Sequence, residues 1–571
     1  MGIAISFDRR VLLSGVAALS ATALFATAAH SLDRSVVGVN GMVVAGHPLA
    51  AQAGLKVLQA GGTACDAAVA TAAVLSITMT DMMGPAGSGY ALLWDAQKKE
   101  LSAIDYNGVA PAATDPKKYD MAKKLRGAMA PTVPGALKGW DEVHKKCGSK
   151  PWADLWQDAI NYAENGWAVD HESNFHIKRH ISELGIYETW VKEFLVNNDA
   201  PGPGYILKRK NLAETYKAFA AKRSDALYGG EIGDKLVGFM KKEGGLITKD
   251  DLMKYQVKWM QPIQTNYRGY TVYGNAPSAS SITWMQILNI IEGYDLKSLG
   301  HNSPEYLHRF IEATKYAYMD AYRYNGDPAH VNMPAERLLS KDYAAQVRQK
   351  IADSAWPIKP MKQTWLHLPQ TGTATSHMAI VDKWGNAVSM TNTLGTFFGA
   401  GVIAEGTGLV LSNGMDWFDI DENIWTGEKP GTLVMAPGKR NRWTLAPGML
   451  FKDGKLFMIV GGAGAEATMW GIAQPIVNAI DFGMDPQASL AAPRFRYGDI
   501  YHYTGGTEVW LEPGMKPEVR DALLKKGHKM SPPDKPRIAA RGTTQMIIVD
   551  QKSGAMIGGA APTGRDNLAA F

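Results

Sequence analysis

Thr375 and Thr393 stand near the two ends of the stretch TATSHMAIVDKWGNAVSMTNT, residues 373–393. The runs HMAIVD and NAVSMTNT are strand-like, and DKWGN between them places Gly385 where a left-handed residue is wanted. A three-residue loop of this kind pairs Asp382 with Asn386, and the same register sets Thr375 directly opposite Thr393. Cross-strand Cβ atoms lie roughly 4.5–5.5 Å apart, close enough for two hydroxyls to meet. Thr is also a good strand residue, so spacing alone leaves a purely structural pairing open.

The chemistry follows from what precedes the hairpin. The stretch WPIKPMKQTWLHLPQTGTA, 356–374, has no clear periodicity and reads as an exposed, mobile segment ending at Ala374, just before the strand begins. If the Ala374–Thr375 bond were cut, Thr375 would carry a free α-amine beside its own hydroxyl. An α-amine has a pKa of only about 7.7–8.0, so near neutrality a useful fraction can take the hydroxyl proton as the oxygen attacks a carbonyl. Nucleophile and base then belong to one residue, and Thr393 orients the attacking oxygen. Such a site calls for no metal and no organic cofactor.

The elements that must hold this hairpin are legible on either side of it. HPLAAQAGLKVLQAGG reads as an amphipathic helix stopped at Gly61–Gly62, and CDAAVATAAVLSITM as a nearly all-apolar, buried helix. GPAGSGYALLWDAQKKELSAIDYNG is a Gly-rich turn leading into a hairpin; it lacks the Gly-Lys-Ser/Thr of a phosphate loop and any dinucleotide spacing. Residues 130–350 read as mainly helical, with His308 a surface or packed helix residue rather than a ligand. Beyond the central hairpin, MLFKDGKLFMIVGG and TQMIIVDQKSGAMIGG are further hairpins, with the helix EATMWGIAQPIVNAIDFG between them. Antiparallel hairpins with helices before and after imply stacked sheets covered by helices.

The 571 residues are 46% apolar and 20% charged with a formal charge of +5, the profile of a globular protein. No basic block or basic–aromatic array stands out, so nucleic acid is not an expected partner. The N-terminus, FDRRVLLSGVAALSATALFATAAHS, has Arg9–Arg10, an apolar stretch and a small-x-small pattern ending at Ala28, and looks like a twin-arginine export signal over residues 1–28. No other segment is long and apolar enough to span a bilayer, so no membrane association is expected once the signal is removed, and the destination is periplasmic or secreted. Cys65 and Cys147 give no zinc spacing and no disulfide framework, leaving one exported disulfide open.

The combined motifs resemble the gamma-glutamyltransferase family of N-terminal-nucleophile hydrolases. They are TSH at 375–377, VDKWGNAVSMTNTL, FFGAGV, HPLAAQAGLKVLQAGGTACDAAVA, VPGALKGW, GGLITKDDL, RYNGDP, LSNGMDWF and GGAGAE, in family order over nearly all the chain beyond the export signal. The resemblance implies an α+β fold, an αββα four-layer sandwich, cut by the protein itself into a large part, 29–374, and a small part, 375–571, that stay together as partners. It implies Thr375 as nucleophile, Ala374–Thr375 as cleavage site and Thr393 as supporting threonine. Gly464 and Ala465 fall where backbone N–H groups form the oxyanion hole, in a stretch that also reads as a strand-to-helix turn. Ser376 and His377 support the strand start and the cleavage reaction, with His377 a packed polar residue rather than a base.

The departures fall on the donor-binding positions. Asn107 stands where the family has an Arg for the α-carboxylate, and Trp417 where it has an Asp for the α-ammonium. Gly395 and Gly414 stand at amide positions, and Trp443 and Thr444 at a Ser-Ser pair. A carboxylate in a dry pocket without a partner costs several kcal/mol. Two tryptophans and two glycines instead imply a pocket wider in places, flatter and more apolar, unless Lys439, Arg440 or Arg442 replaces the missing Arg from another direction. The leading expectation is a self-cleaving amide hydrolase or acyltransferase for a small-molecule amide with a non-glutamyl, aromatic or aliphatic acyl group. The alternatives are a true γ-glutamyltransferase or glutathione hydrolase, and a catalytically silent periplasmic binding protein of the same fold.

Overall fold

The structure, a computed structural model, describes residues 34–358, 373–420, 433–464, 467–498, 507–532, 543–562 and 567–571. The expected export signal, residues 1–28, most of the segment expected to be mobile, and Ala465 lie outside the described residues. Two seven-stranded sheets stand among them. One runs, edge to edge, Val36–Gly38, Met556–Ala560, Thr543–Val549, Lys455–Ala463, Gly448–Lys452, Tyr270–Gly274 and Ile263–Tyr267. The other runs Asn567–Ala570, Gly41–Ala45, Thr373–Asp382, Ala387–Thr396, Ser88–Asp95, Glu100–Asp105 and Lys258–Met260.

Strand alternation builds four layers. On the second sheet Val43, Met378, Ile380, Val388, Met390 and Leu93 point to a helical core, together with the helices Pro48–Gln59 and Ala64–Thr78. Their neighbours Met42, Val44, Leu92, Ala379 and Val381 point the other way and meet Met449, Phe451, Ile459 and Ile547 of the first sheet. The opposite face of that sheet, with Leu450, Met458, Val460 and Met546, packs on the helices Ser281–Ile291 and Pro304–Tyr324. A residue period of two thus sorts each strand between a helical and an inter-sheet layer, as an αββα sandwich requires.

The Ala64–Thr78 helix is buried at every position and opens on a capping box between Thr63 and Asp66, as its all-apolar composition implies. Besides the two-residue strands Trp167–Ala168 and Ile206–Leu207, three strands interrupt the stretch 130–350 that reads as helical: Lys258–Met260, Ile263–Tyr267 and Tyr270–Gly274. Their signal is a two-residue Arg268–Gly269 turn, with φ of +50° and +79°, between β-branched and aromatic residues. Residues on both sides of Ala374–Thr375 supply strands to both sheets, so the two sequence parts are not separate folding units. His308 is buried within Pro304–Tyr324, its Nδ1 2.8 Å from His528 Nε2 and its Nε2 2.8 Å from the Ala352 carbonyl oxygen.

Cys65 and Cys147 form a disulfide that ties the all-apolar helix to the end of Ala136–Cys147. Closing so long a loop contributes about 2–4 kcal/mol. Cys147→Ser should melt a few degrees below the wild type and be indifferent to reductant, while reductant lowers the wild type to the same temperature. Equal melting temperatures with and without the bond would contradict this.

His377 is buried between the sheets, its ring filling the space that a side chain at Gly461 would occupy, 2.1 Å from an ideal Cβ there. Burial pushes its pKa down to about 3 from the usual 6.5, and it stays a neutral partner of Thr391 Oγ1 at 2.7 Å. His180 is likewise pushed down to about 4, mainly by burial. Below about pH 6.5 the unfolded chain binds protons that the folded one refuses, so stability is lost as pH falls from there toward 3, by up to about 1.4 kcal/mol per pH unit for each such histidine. Calorimetry across pH 4–7 should show a shallower loss for His377→Gln than for the wild type. Parallel curves would show that His377 does not carry this linkage.

Candidate functional site

The central hairpin pairs Ser376 with Asn392, His377 with Thr391 and Val381 with Ala387, in the register the turn implies. Thr375 pairs with Thr393, but Ala374 pairs with Gly395, so Leu394 is an extra residue and the strand bulges there. The bulge is held on both sides: the Leu394 N–H donates to Met82 O (3.0 Å) and its carbonyl accepts from the Asn413 N–H (2.9 Å).

The bulge concentrates donors on one oxygen. Thr375 Oγ1 donates to Thr393 Oγ1 at 3.2 Å, and the Gly395 N–H donates to the same oxygen at 2.9 Å. The Thr393 hydroxyl in turn donates to the carbonyl oxygen of Ala374. Both threonines face the inter-sheet layer, with the His377–Thr391 pair directly behind them. Two hydroxyls bonded to each other, one of them donating to a carbonyl oxygen, form an arrangement suited to acyl transfer.

Gly395 adopts φ +106°, and an ideal Cβ there would lie 2.1 Å from Asn413 Oδ1 and 3.3 Å from Trp443 Cη2. At Gly414 the corresponding position lies 2.5 Å from Thr132 Oγ1. The expectation that these glycines widen the pocket therefore does not hold: Asn413 and Thr132 already fill the space. The two tryptophans lie side by side but tilted by 49° rather than coplanar. Trp443 packs on Trp417 with ring centroids 4.9 Å apart, and both indoles are buried. Trp443 Nε1 donates to Asn107 Oδ1 at 2.6 Å, and Asn441 Nδ2 donates to Gly414 O at 2.6 Å. Thr444 is buried, its carbonyl accepting from Thr468 Oγ1 at 2.5 Å. Gly464, at φ +128°, follows the strand Lys455–Ala463, whose Gly461 lies against His377.

The three cations considered as substitutes for the missing Arg have other partners. Arg440 lies 3.5 Å from Asp105 and donates to the carbonyls of Gln256 (2.8 Å) and Asn107 (3.3 Å). Lys439 donates to Val434 O at 2.8 Å, and the Arg442 guanidinium lies 4.0 Å over the Tyr322 ring.

Arg126 carries no sequence signal, and Asn413 stands in LSNGMDWF with no role read from it, yet both shape the site. Arg126 forms a buried pair with Glu183 (2.6 Å) and donates to Thr396 Oγ1 and Phe397 O, both at 2.9 Å. Asn413 Nδ2 also donates to Thr396 Oγ1, at 2.8 Å. Together they fix the strand end just beyond the bulge. Their partners are distant in sequence, so no local pattern announces them.

A family profile described as Gamma-glutamyltranspeptidase matches residues 50–571. The chain is 33% identical over 546 residues to a glutathione hydrolase proenzyme of Escherichia coli, covering 93% of this chain and 91% of the relative. It is 35% identical over 514 residues to the acylase ACY 1 proenzyme of a Pseudomonas species, covering 87% and 88%. The crystal structure of a cephalosporin acylase from Bacillus halodurans superposes with a TM-score of 0.86 at 31% identity, over 99% of both chains. Family profile, relatives and fold agree along almost the whole length: the chain belongs to the gamma-glutamyltranspeptidase family, whose relatives here include both glutathione hydrolases and acylases.

Proposed function

We propose that this chain is a proenzyme that cuts its own Ala374–Thr375 bond and then cleaves amides of non-glutamyl acyl groups through an acyl-enzyme on Thr375. The observation that carries the reading is the shared Thr393 oxygen, which accepts from Thr375 and Gly395 while its own proton rests on the Ala374 carbonyl.

In the first reaction Thr375 Oγ attacks the Ala374 carbonyl carbon, and the Thr393 hydroxyl stabilises the oxygen that becomes negative. The C–N bond breaks, its nitrogen takes the proton, and the acyl group moves to Oγ as an ester. Water then hydrolyses that ester, leaving a carboxylate at Ala374 and a free amine on Thr375. In turnover the amine accepts the Oγ proton as Oγ attacks the donor carbonyl, and delivers it to the leaving amine. Water or another amine then releases the acyl group. Gly464 and Ala465 supply the oxyanion-hole N–H groups in this reading.

The aromatic wall beside Gly395, and the prior commitments of Arg440 and Lys439, favour an apolar acyl group; the similarity to acylases agrees. The disulfide fits an oxidising compartment, in keeping with the export signal and a periplasmic or secreted site of action. A true glutathione hydrolase remains the second reading, favoured by the Escherichia coli relative. Steady-state rates on a γ-glutamyl anilide and on a panel of aromatic and aliphatic acyl anilides separate the two. We expect saturable turnover of the apolar donors only; efficient glutamyl turnover would reverse the choice.

Gly395→Ala forces a Cβ onto Asn413 Oδ1 in a left-handed conformation, and should displace the N–H that anchors Thr393. Self-cleavage and turnover should both slow by at least about tenfold, and wild-type rates would count against the proposed role of Thr393. kcat/KM for a neutral amide should fall as pH drops through about 7–8, where the Thr375 amine becomes protonated. A flat profile there would argue for a different base.

A further inference from the structure

Asn107 stands where an arginine would meet the donor, but its amide is fully engaged within the protein. An indole N–H can only donate, so the head that meets Trp443 Nε1 at 2.6 Å is the amide oxygen. The nitrogen, with its two hydrogens, lies within reach of Asn441 O (2.8 Å), Asn441 Oδ1 (3.0 Å) and Tyr90 Oη (3.2 Å), with Ser278 Oγ at 3.5 Å. Its backbone is held too: the N–H donates to Asp105 Oδ1 (2.7 Å), and the carbonyl accepts from Tyr255 Oη (2.9 Å) and Arg440 Nε (3.3 Å). The side chain is wholly buried.

The indole held at one end by Asn107 reaches the reacting centre at the other. Trp443 Cη2 lies 3.3 Å from the Cβ position of Gly395, whose N–H binds Thr393 Oγ1. The Trp443 carbonyl accepts from Ser280 Oγ at 2.8 Å, and its ring face meets Trp417. Backbone, ring face and ring nitrogen are thus each fixed by a different element, the nitrogen by Asn107.

We infer that Asn107 is a positioning residue for acyl-group selection: it does not touch the donor, but clamps the Trp443 indole as the wall of the acyl chamber beside Thr393. This rests on the acyl-enzyme reading above. It assigns the chamber's size and shape to a hydrogen bond between residue 107, before the cut, and residue 443, after it. A donor with a bulky apolar acyl group should feel this wall, and one with the smallest acyl group should not.

The test uses the full-length, self-processed protein with three variants. Asn107→Leu keeps the volume and loses both polar heads; Asn107→Asp keeps an acceptor toward the indole; Trp443→Phe removes the N–H from the other side. Acyl 4-nitroanilides graded from acetyl to phenylacetyl and longer are compared by kcat and KM, and the Trp443 indole N–H resonance is assigned by its loss in Trp443→Phe. Asn107→Leu should raise KM for bulky donors by about tenfold, leave kcat on acetyl little changed, and move the indole resonance upfield. Asn107→Asp should hold both nearer to wild type. In the Trp443→Phe background, Asn107→Leu should add little, since the bond is already gone.

An unshifted indole resonance in Asn107→Leu, or an equal loss of kcat on every donor, overturns the inference. If Asn107→Leu does not fold, Trp443→Phe alone decides: unchanged relative KM values across the donor series overturn it. The indole resonance reads the clamp even where no donor is turned over. Failure of the acyl-enzyme reading, seen as undiminished turnover by Thr375→Ala, is therefore distinguishable from failure of the clamp.

Discussion

One extra residue in one strand governs the geometry of the site. Without the bulge at Leu394, Ala374 would face Leu394 across the ladder rather than Gly395. With it, Gly395 takes a left-handed backbone and turns its N–H onto Thr393 Oγ1, and the Thr393 hydroxyl is free to reach the Ala374 carbonyl. The bulged residue is tied to Met82 on one side and Asn413 on the other, so the kink is over-determined by its neighbours. Bulges recur where a strand must re-aim a group, and here the group re-aimed is the Thr393 hydroxyl, between Thr375 Oγ1 and the Ala374 carbonyl oxygen.

That hairpin is held rigid by what lies behind it. Facing the inter-sheet layer from the site inward are the pairs Thr375–Thr393, His377–Thr391, Ala379–Ser389 and Val381–Ala387, a gradient from polar to apolar. The neutral imidazole of His377 fits only because Gly461 of the opposing sheet has no side chain. Packing Thr375 near the end of a central strand, with a sheet behind it and helices outside, gives it the positional precision that the proposed acyl transfer needs. The interleaving of strands from both sides of Ala374–Thr375 also means that scission of that bond would leave both pieces locked in shared sheets.

Much of this was legible in the residues. The Gly385 turn fixed the hairpin register, and periodicity announced the buried helix at 64–78 and the late hairpins. Local chemistry determines those features, so local sequence reveals them. The bulge was not legible, because nothing in TNTLGT distinguishes a regular ladder from one with an extra residue. The hairpin around Arg268–Gly269 was readable but was masked by the helices on either side of it. The surroundings of Thr393 were half legible: the tryptophans are conspicuous, whereas Asn413, Thr132 and Arg126 act from elsewhere along the chain, and only the fold brings them to Gly395, Gly414 and Thr396. The Asn107–Trp443 bond belongs to the same class, a long-range contact that no spacing rule encodes.

The account stands or falls on a backbone bond. N-terminal sequencing of the shorter polypeptide in the purified protein tests it most directly. The account predicts a fragment beginning Thr-Ser-His-Met, present in the wild type and absent in Thr375→Ala. A single uncut chain that is nevertheless fully active, or a fragment beginning at any other residue, would contradict it.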